Sequence, residues 1–231
     1  MNIFITGTSR GIGNYLAEYY LSKGYKVFGC SRSETTIQNN NYYHFLADIT
    51  LEEEVIKIYN RLVSIGIILD ILINNAGIAS MNFSILTPTI QVKNIFETNF
   101  LGTFIFSKIL FKLLKKSNNA RIINFSTIAV PLNLEGESIY SSSKAAVEQL
   151  TKVMAKELFH FGITVNAIGP SPIKTDLIKH IPQEKLDSLI DKMTIKSFGN
   201  FTDLTNVIDF FIKPESKNIT GQIIYLGGLT K

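Results

Sequence analysis

A tyrosine and a lysine stand four residues apart in IYSSSKAAVEQL, residues 139–150. One helical turn brings residues i and i+4 onto one face, so Tyr140 and Lys144 would lie side by side. A nearby ammonium favours the phenolate and lowers the pKa of a tyrosine from about 10. The spacing therefore predicts that Tyr140 exchanges a proton with a reacting group. A solvent-exposed helix pair is the alternative.

A glycine-rich loop follows the first apolar run, in TGTSRGIG at residues 6–13. Glycines let a backbone turn tightly and approach a pyrophosphate, while the N-terminus of the next helix offers free N–H groups and partial positive charge. The loop predicts a dinucleotide site, with a tight turn alone as the alternative. The expected contacts in the loop are Gly7, Ser9, Arg10, Gly11, Ile12 and Gly13.

The end of the second predicted strand bears on which dinucleotide is bound. Enzymes that prefer NAD commonly carry an acid there to hold the ribose diol. Here the chain reads FGCSRSE, with Ser31 and Arg32 at that point and no acid before Glu34. Arg32 can pair with a 2′-phosphate, assisted by Arg10. NADP(H) is therefore favoured and NAD(H) is the alternative, unless both arginines are merely solvated.

The elements that would position these residues alternate along the chain. Strands are predicted at 2–7, 25–31, 42–49, 68–77, 120–127, 163–169 and 221–228, and helices at 12–24, 51–66, 89–116, 138–161 and 202–213. The strands are apolar on consecutive residues, which indicates a parallel sheet covered by helices on both faces. We expect an α/β doubly wound, Rossmann-type fold with a seven-stranded, mostly parallel sheet. With no repeat or linker, residues 1–231 are expected to form a single domain.

Composition excludes several other classes. The net charge of +4 and the pI of about 9.0 are too weak and scattered for nucleic-acid binding. One cysteine and three separated histidines favour neither a disulfide nor a metal site. The most apolar stretch, at 100–114, is too short to cross a membrane and contains Lys108 and Lys112. The opening MNIFITG is typical of a strand and not of a secretion signal, so a cytoplasmic location is expected.

Taken together, these motifs resemble the short-chain dehydrogenase/reductase family, of the small subtype called classical, over residues 2–228. The resemblance is closest to reductases of 3-oxoacyl thioesters. The motifs occur in the family's order: TGTSRGIG at 6–13, Asp48, NNAG at 74–77, Asn99, a hydroxyl pair at 126 and 127, YSSSK at 140–144, NAIGPSPIKTD at 166–176 and ITGQIIYLGG at 219–228.

Residue roles follow from the resemblance position by position. It implies that Asp48 and Ile49 hold the adenine and that Lys144 also binds the ribose hydroxyls. Asn99 would anchor a water behind Lys144, with a helix-kink role as the alternative. The remaining cofactor contacts implied are Asn75, Ala76 and Gly77 along the cleft, and Pro170, Ile173 and Thr175 near the nicotinamide and phosphates.

The chain departs from the family pattern at two places. The family's serine stands thirteen residues before the tyrosine, where this chain has Thr127. Neighbours on a strand face opposite sides, so only Thr127 or Ser126 can point into the cleft, and we expect Thr127. Its methyl group crowds the site and stiffens the side chain. Ser171 replaces a usual glycine, which makes the backbone there less permissive.

The resemblance implies an NADP(H)-dependent oxidoreductase that transfers a hydride between nicotinamide and a carbonyl or secondary alcohol. Substrate contacts are expected from 128–138 and from a lid at 174–198. An acyl-carrier-protein substrate is not favoured, because Asn118 and Phe161 stand where arginines are expected. An epimerase or dehydratase-like relative and a non-catalytic cofactor-binding protein are the alternatives. The helices at 89–116 and 138–161 are expected to pair copies into a homodimer or homotetramer.

Overall fold

Seven parallel strands form one sheet in the computed structural model, which describes residues 1–179 and 181–229. The spatial order is β3-β2-β1-β4-β5-β6-β7. The predicted fold class is confirmed, and every strand pair is parallel. The strands are β1 Asn2–Thr6, β2 Lys26–Ser31, β3 Tyr42–Leu46, β4 Ile71–Asn74, β5 Arg121–Phe125, β6 Thr164–Gly169 and β7 Ile223–Tyr225.

Helices connect the strands and cover both faces of the sheet. They are α1 Gly11–Ser22, α2 Glu52–Ser64, α3 Thr89–Phe96, α4 Gly102–Leu114, α5 Ala129–Leu132, α6 Ser138–Leu158, α7 Gln183–Asp191 and α8 Phe201–Ile212. Short 3₁₀ turns occupy Ser84–Leu86, Phe159–Phe161 and Pro214–Asn218. Among the described residues, no helix is long and apolar enough to cross a bilayer.

The observed helices differ from the predicted ones in two ways. The helix predicted at 89–116 is interrupted by a π-helical turn at Glu97–Leu101, so it forms α3 and α4 with an extra residue between them. Such turns lack the regular i to i−4 pairing and are frequent at functional sites. Helices α5 and α7 were not predicted, because each is short and lies among turn-forming residues.

Side chains from alternate positions on each strand enter opposite cores. On β1, Phe4 faces the layer formed with α2 and α4, whereas Ile3 and Ile5 face the layer formed with α1 and α8. All three are fully buried. Burying one such side chain contributes roughly 1.5–3 kcal/mol. The consecutive apolar runs seen in the sequence therefore follow from burial on both faces of the sheet.

A buried polar chain fixes α6 against the centre of the sheet. Asn74 Nδ2 donates to Asn124 Oδ1 at 2.8 Å and to Ser107 Oγ at 3.0 Å. Asn124 Nδ2 in turn donates to Thr151 Oγ1 on α6 at 2.9 Å. Because buried polar groups are costly without partners, these bonds favour one register of α6 on the sheet. The face of α6 that carries Tyr140 and Lys144 is positioned by that register.

Candidate functional site

A cleft of about 860 Å³ opens at the carboxyl edge of the sheet. The strand order reverses between β1 and β4, and ligands of doubly wound sheets bind at such a switch point. Ligand pockets usually measure roughly 300–1,000 Å³, so the size suits a small-molecule site. Its lining includes predicted site residues from the glycine loop, the strand ends and α6: Gly7, Ser9, Arg10, Gly11, Ile12, Ser31, Arg32, Asp48, Ile49, Asn75, Ala76, Gly77, Thr127, Tyr140, Lys144, Pro170, Ile173 and Thr175.

The glycine loop is held tightly against the sheet and leaves the start of α1 open. Gly7 N donates to Cys30 O at 2.8 Å, and Asn75 Nδ2 donates to Thr6 O at 2.9 Å. Gly7 has a φ of 77°, which favours glycine. Among the residues described, no side chain caps the N-terminus of α1. Its first N–H groups therefore remain donors for an anion, which fits the pyrophosphate of a dinucleotide.

Gly13 and Asn99 are site residues that do not line the cleft. A Cβ on Gly13 would lie 2.1 Å from Gly7 O and 2.5 Å from Asn75 Nδ2. The glycine is needed because α1 packs directly on the loop, and the contact of Gly13 with the cofactor stays a prediction. Asn99 is fully buried in the π-helical turn.

Asn99 joins three segments behind the cleft. Its Oδ1 accepts from Ile78 N at 2.8 Å, while Nδ2 donates to Ile78 O and to Ser143 Oγ, both at 2.9 Å. Both amide hydrogens are therefore used by protein acceptors. This arrangement suits the helix-distortion alternative, and the water-anchoring role stays a prediction.

The far end of the cleft carries two unpaired cations. Arg10 and Arg32 are exposed, and within residues 1–179 and 181–229 neither forms a salt bridge. The Ser31 hydroxyl donates to Ser33 O at 2.7 Å and lies 3.1 Å from His44 Nε2. The Ser31 hydrogen is thus already used, and the guanidinium of Arg32 is the donor at the end of β2, which suits a phosphate better than a ribose diol.

Asp48 and Ile49 form the wall expected to hold the adenine. Asp48 Oδ1 accepts from Thr50 N at 2.9 Å and from Thr50 Oγ1 at 2.8 Å. Ile49 packs over Gly102, where a Cβ would lie 2.6 Å from Ile49 Cδ1. The carboxylate and the apolar side chain therefore hold fixed positions before any ligand binds.

Tyr140, Lys144 and Thr127 meet in the middle of the cleft. Thr127 hydrogen-bonds the Tyr140 phenol and accepts from Ala129 N at 3.2 Å. Lys144 is buried and donates to Phe125 O at 2.9 Å. The Ser126 hydroxyl instead donates to Glu148 Oε1. Of the hydroxyl pair, only Thr127 is directed toward Tyr140, in line with strand alternation.

The expected acidity of Tyr140 is not found in the protein without a ligand. Burial raises the pKa of Tyr140 to about 12, against the effect of the hydrogen bond from Thr127. Burial lowers the pKa of Lys144 to about 8. Burial of both side chains therefore outweighs the lowering of the Tyr140 pKa that the ammonium was expected to cause. The prediction of a lowered pKa for Tyr140 is therefore wrong for the protein without its cofactor.

Ser171, the second departure from the family pattern, causes no backbone strain. Within the described residues, Asn133 is the only non-glycine with a positive φ. Ser171 is buried, and its side chain fills space beside two glycines. A Cβ on Gly199 would lie 2.4 Å from Ser171 Oγ, and one on Gly227 3.3 Å from Ser171 Cβ. The missing glycine at 171 is thus accommodated by glycines elsewhere.

Sequence reasoning did not single out several residues of the cleft. The predicted substrate segments do reach it, and apolar side chains from them line it: Ile128, Leu134, Leu177, Ile178, Ile181, Leu186 and Leu189. Glu137 lies among them as a buried carboxylate. Its position three residues before Tyr140 is the sequence feature that could indicate a place in the cleft. No group of three or more metal-binding side chains occurs in the part of the chain described.

A dinucleotide-type cleft with a tyrosine, a lysine and a hydroxyl at its centre defines a nicotinamide-dependent oxidoreductase. Residues 1–186 match the family model for short chain dehydrogenases, and the chain belongs to the short-chain dehydrogenase/reductase family.

Known proteins resemble the chain over nearly its full length. It is 30% identical over 230 residues to the 3-oxoacyl-[acyl-carrier-protein] reductase FabG of Vibrio cholerae, covering 97% of this chain and 94% of that one. Among solved structures, ElxO with NADP bound has a TM-score of 0.88 at 32% identity, covering 97% and 96% of the two chains. A short chain dehydrogenase from Leptospira borgpetersenii with bound NAD⁺ has a TM-score of 0.89 at 28% identity, covering 98% and 91%. Both cofactors therefore occur among similar proteins.

Proposed function

We propose that this protein is an NADP(H)-dependent oxidoreductase that interconverts a carbonyl compound and a secondary alcohol, with Tyr140 as proton donor and acceptor. The observation that carries the proposal is the convergence of Tyr140, Thr127 and Lys144 in the cleft that begins at the open N-terminus of α1. Residues 1–231 would act as a single domain, with 174–198 as the lid over the substrate end.

The residues of the cleft fit a nicotinamide dinucleotide. The N-terminus of α1 would receive the pyrophosphate, Asp48 and Ile49 the adenine, and Lys144 the ribose hydroxyls. Asn75, Ala76 and Gly77 would line the cofactor's path, while Pro170, Ile173 and Thr175 would contact its nicotinamide end. The bound cofactor supplies or accepts the hydride.

Tyr140 would exchange the proton that accompanies hydride transfer. A carbonyl oxygen gains negative charge as its carbon is reduced, and a nearby acid must protonate it. With a pKa of about 12, Tyr140 is protonated at neutral pH and ready to donate. Thr127 would hold the same oxygen by a hydrogen bond. This is the protonation state that reduction of a carbonyl requires.

Lys144 would assist by supplying positive charge. Its pKa of about 8 leaves it mostly protonated at pH 7 in spite of its burial. One of its three hydrogens is donated to Phe125 O, which leaves two for the ribose hydroxyls. The ammonium would also stabilise the phenolate left after Tyr140 gives up its proton.

The preference for NADP(H) rests on Arg32 and Arg10. Both guanidiniums are exposed at the end of the cleft, and no carboxylate ends β2. ElxO, a similar protein, binds NADP, which supports the preference. The Leptospira relative binds NAD⁺, so NAD(H) is the alternative that a titration must test.

A small carbonyl compound suits the outer cleft better than a protein-bound acyl chain. FabG of Vibrio cholerae is named for an acyl-carrier-protein substrate. Here the positions where arginines were expected carry Asn118 and Phe161, and Phe161 packs edge-on against Phe111 at 5.0 Å. Neither side chain offers a cation to an acidic carrier.

Assembly into a homodimer or homotetramer would cover apolar side chains on α4 and α6. Phe104 on α4 and Val153 on α6 are 38% and 41% exposed. Phe159 and Phe161, in the turn that follows α6, are 47% and 51% exposed. Apolar patches of this kind commonly mark interfaces between subunits.

The proposal is tested by cofactor titration followed by a ketone screen. NADPH and NADH are titrated by fluorescence, and reduction of small ketones is followed by the loss of nicotinamide absorbance. Oxidation of NADPH coupled to ketone reduction supports an oxidoreductase. Epimerisation or dehydration without net cofactor oxidation would indicate the first alternative. Cofactor binding with no reaction of any kind would indicate a binding protein.

A further inference from the structure

Glu137 is a buried carboxylate at the substrate end of the cleft, and the proposed reaction makes no use of it. Only 6% of the residue is exposed. Its Oε2 has no hydrogen-bond partner among the residues that the structure describes. A buried polar atom without a partner costs roughly 1–3 kcal/mol. Such an atom in a ligand cleft is a candidate for contact with the ligand.

The backbone holds Glu137 firmly in this place. Its N–H donates to Leu134 O at 3.2 Å, and its carbonyl accepts from Ser141 N at 2.7 Å. Gly136, with a φ of 78°, makes the preceding turn, and its carbonyl accepts from Asn82 N at 2.8 Å. The carboxylate is therefore held by the entry into α6, and its burial does not result from a loose loop.

The surroundings of Glu137 are mainly apolar. Leu134, Leu186 and Leu189 line the same cleft. Lys185 on α7 and Tyr140 on α6 are the ionisable groups that interact with it electrostatically. Burial raises the pKa of the carboxyl to about 7, and Lys185 opposes this rise. Because Lys185 is exposed, it offers only screened compensation.

We propose that Glu137 binds a hydrogen-bond donor, a hydroxyl or an ammonium, on the carbon next to the substrate's carbonyl group. Glu137 directly precedes α6, Tyr140 is the third residue of that helix, and their side chains interact electrostatically in the cleft. A carbonyl oxygen held by Tyr140 and Thr127 therefore brings the neighbouring carbon's substituent toward Glu137. The inference rests on the proposed function, and it narrows the substrates to α-hydroxy or α-amino ketones and the matching alcohols.

Selectivity follows from the unpaired oxygen. A substrate with a donor satisfies Oε2 as it enters, whereas one with only methyl groups displaces solvent and leaves the acceptor unpaired. A substrate carboxylate at the same position would meet a like charge at pH values above about 7. Glu137 would therefore select for donors and against both alkyl ketones and α-keto acids.

Three ketones of nearly equal size test the proposal: butan-2-one, hydroxyacetone and aminoacetone. We expect Glu137→Leu to reduce the kcat/KM ratio of hydroxyacetone to butan-2-one by about tenfold, the effect of one lost hydrogen bond to a charged group. Intrinsic reactivity cancels, because each enzyme form is compared on the same ketones. Glu135→Leu, which removes an exposed acid two residues earlier, should leave the ratio unchanged.

Glu137→Gln separates the two donors. An amide keeps an acceptor oxygen but has no charge, so kcat/KM for hydroxyacetone should fall little and that for aminoacetone much more. Equal losses for both ketones would contradict direct contact between the carboxylate and the substrate's donor. Ratios that stay the same in Glu137→Leu and the parent would overturn the inference while leaving the proposed function intact.

If none of the three ketones is reduced, a binding measurement tests the role of Glu137. That result would count against the proposed function for these substrates. Propane-1,2-diol and butan-2-ol are then titrated by calorimetry into the protein saturated with NADP⁺. Tighter binding of the diol to the parent, lost in Glu137→Leu, supports the role of Glu137. Equal binding of the two alcohols, or no binding, overturns it.

Discussion

Arg32 offers the sharpest test of the cofactor preference. It is exposed at the end of β2, forms no salt bridge within the described residues, and lines the cleft beside Ser31. A hydrogen bond to a charged group contributes roughly 1.5–3 kcal/mol, and exposure to salt and solvent reduces this to about 1–2 kcal/mol. Arg32→Ala should therefore weaken NADPH binding about five- to thirtyfold.

The same variant has an internal control, because NADH has no 2′-phosphate. Fluorescence titration should show NADH affinity within about twofold of the parent, and the NADPH difference should shrink as salt increases. Lys116→Ala removes one positive charge at an exposed position outside the cleft and should leave both affinities unchanged. If Arg32→Ala binds NADPH as tightly as the parent, the argument for a 2′-phosphate site at this strand end fails.

Three further variants test the loop, the buried acid and the assembly. Gly13→Ala places a Cβ 2.1 Å from Gly7 O. We therefore expect the unfolding free energy from urea titration to fall by about 1–3 kcal/mol, and NADPH and NADH to bind more weakly. Parent-like stability and affinities would contradict the close packing. Glu137 has a pKa raised from 4.5 to about 7, so the native state binds more protons than the unfolded state in that window and stability falls as pH rises through it. The unfolding free energy of Glu137→Gln lacks this pH dependence, so the variant should become more stable relative to the parent by roughly 2–3 kcal/mol from pH 5 to pH 8. If the stability difference between variant and parent is the same at both pH values, the carboxyl titrates normally. Phe104→Glu should lower the molecular mass measured by light scattering. Phe210→Glu is the control, because Phe210 on α8 is equally exposed at 38%, and it should leave the mass unchanged. An unchanged mass in Phe104→Glu would exclude the face of α4 that carries Phe104 as the subunit interface.

Much of the fold follows from local pattern in the sequence. Consecutive apolar residues in runs such as NIFIT and ILIN have both faces buried in the structure, as a parallel sheet requires. The π-helical turn at Glu97–Leu101 could not be read in the same way. It depends on hydrogen bonds from Asn99 to Ile78 and Ser143, which are distant in sequence. Helices α5 and α7 are short, and the residues they pack against decide their conformation.

The spacing of site residues in the sequence predicts where they lie but not their pKa values. The four-residue spacing correctly places Tyr140 and Lys144 in the same cleft. It could not give their pKa values, because burial dominates both and burial depends on the whole fold. Glu137 was missed for the same reason, since an acid near a helix start is usually solvated. Only its burial and unpaired oxygen distinguish it.

The central claim is that Tyr140 delivers the proton that accompanies hydride transfer. The most direct measurement is the single-turnover rate of NADPH oxidation in Tyr140→Phe, with the best ketone from the screen and with NADPH affinity measured in parallel. We expect a rate lower by about 10²–10⁴-fold with NADPH affinity within about twofold of the parent. A parent-like rate at full cofactor occupancy would contradict it.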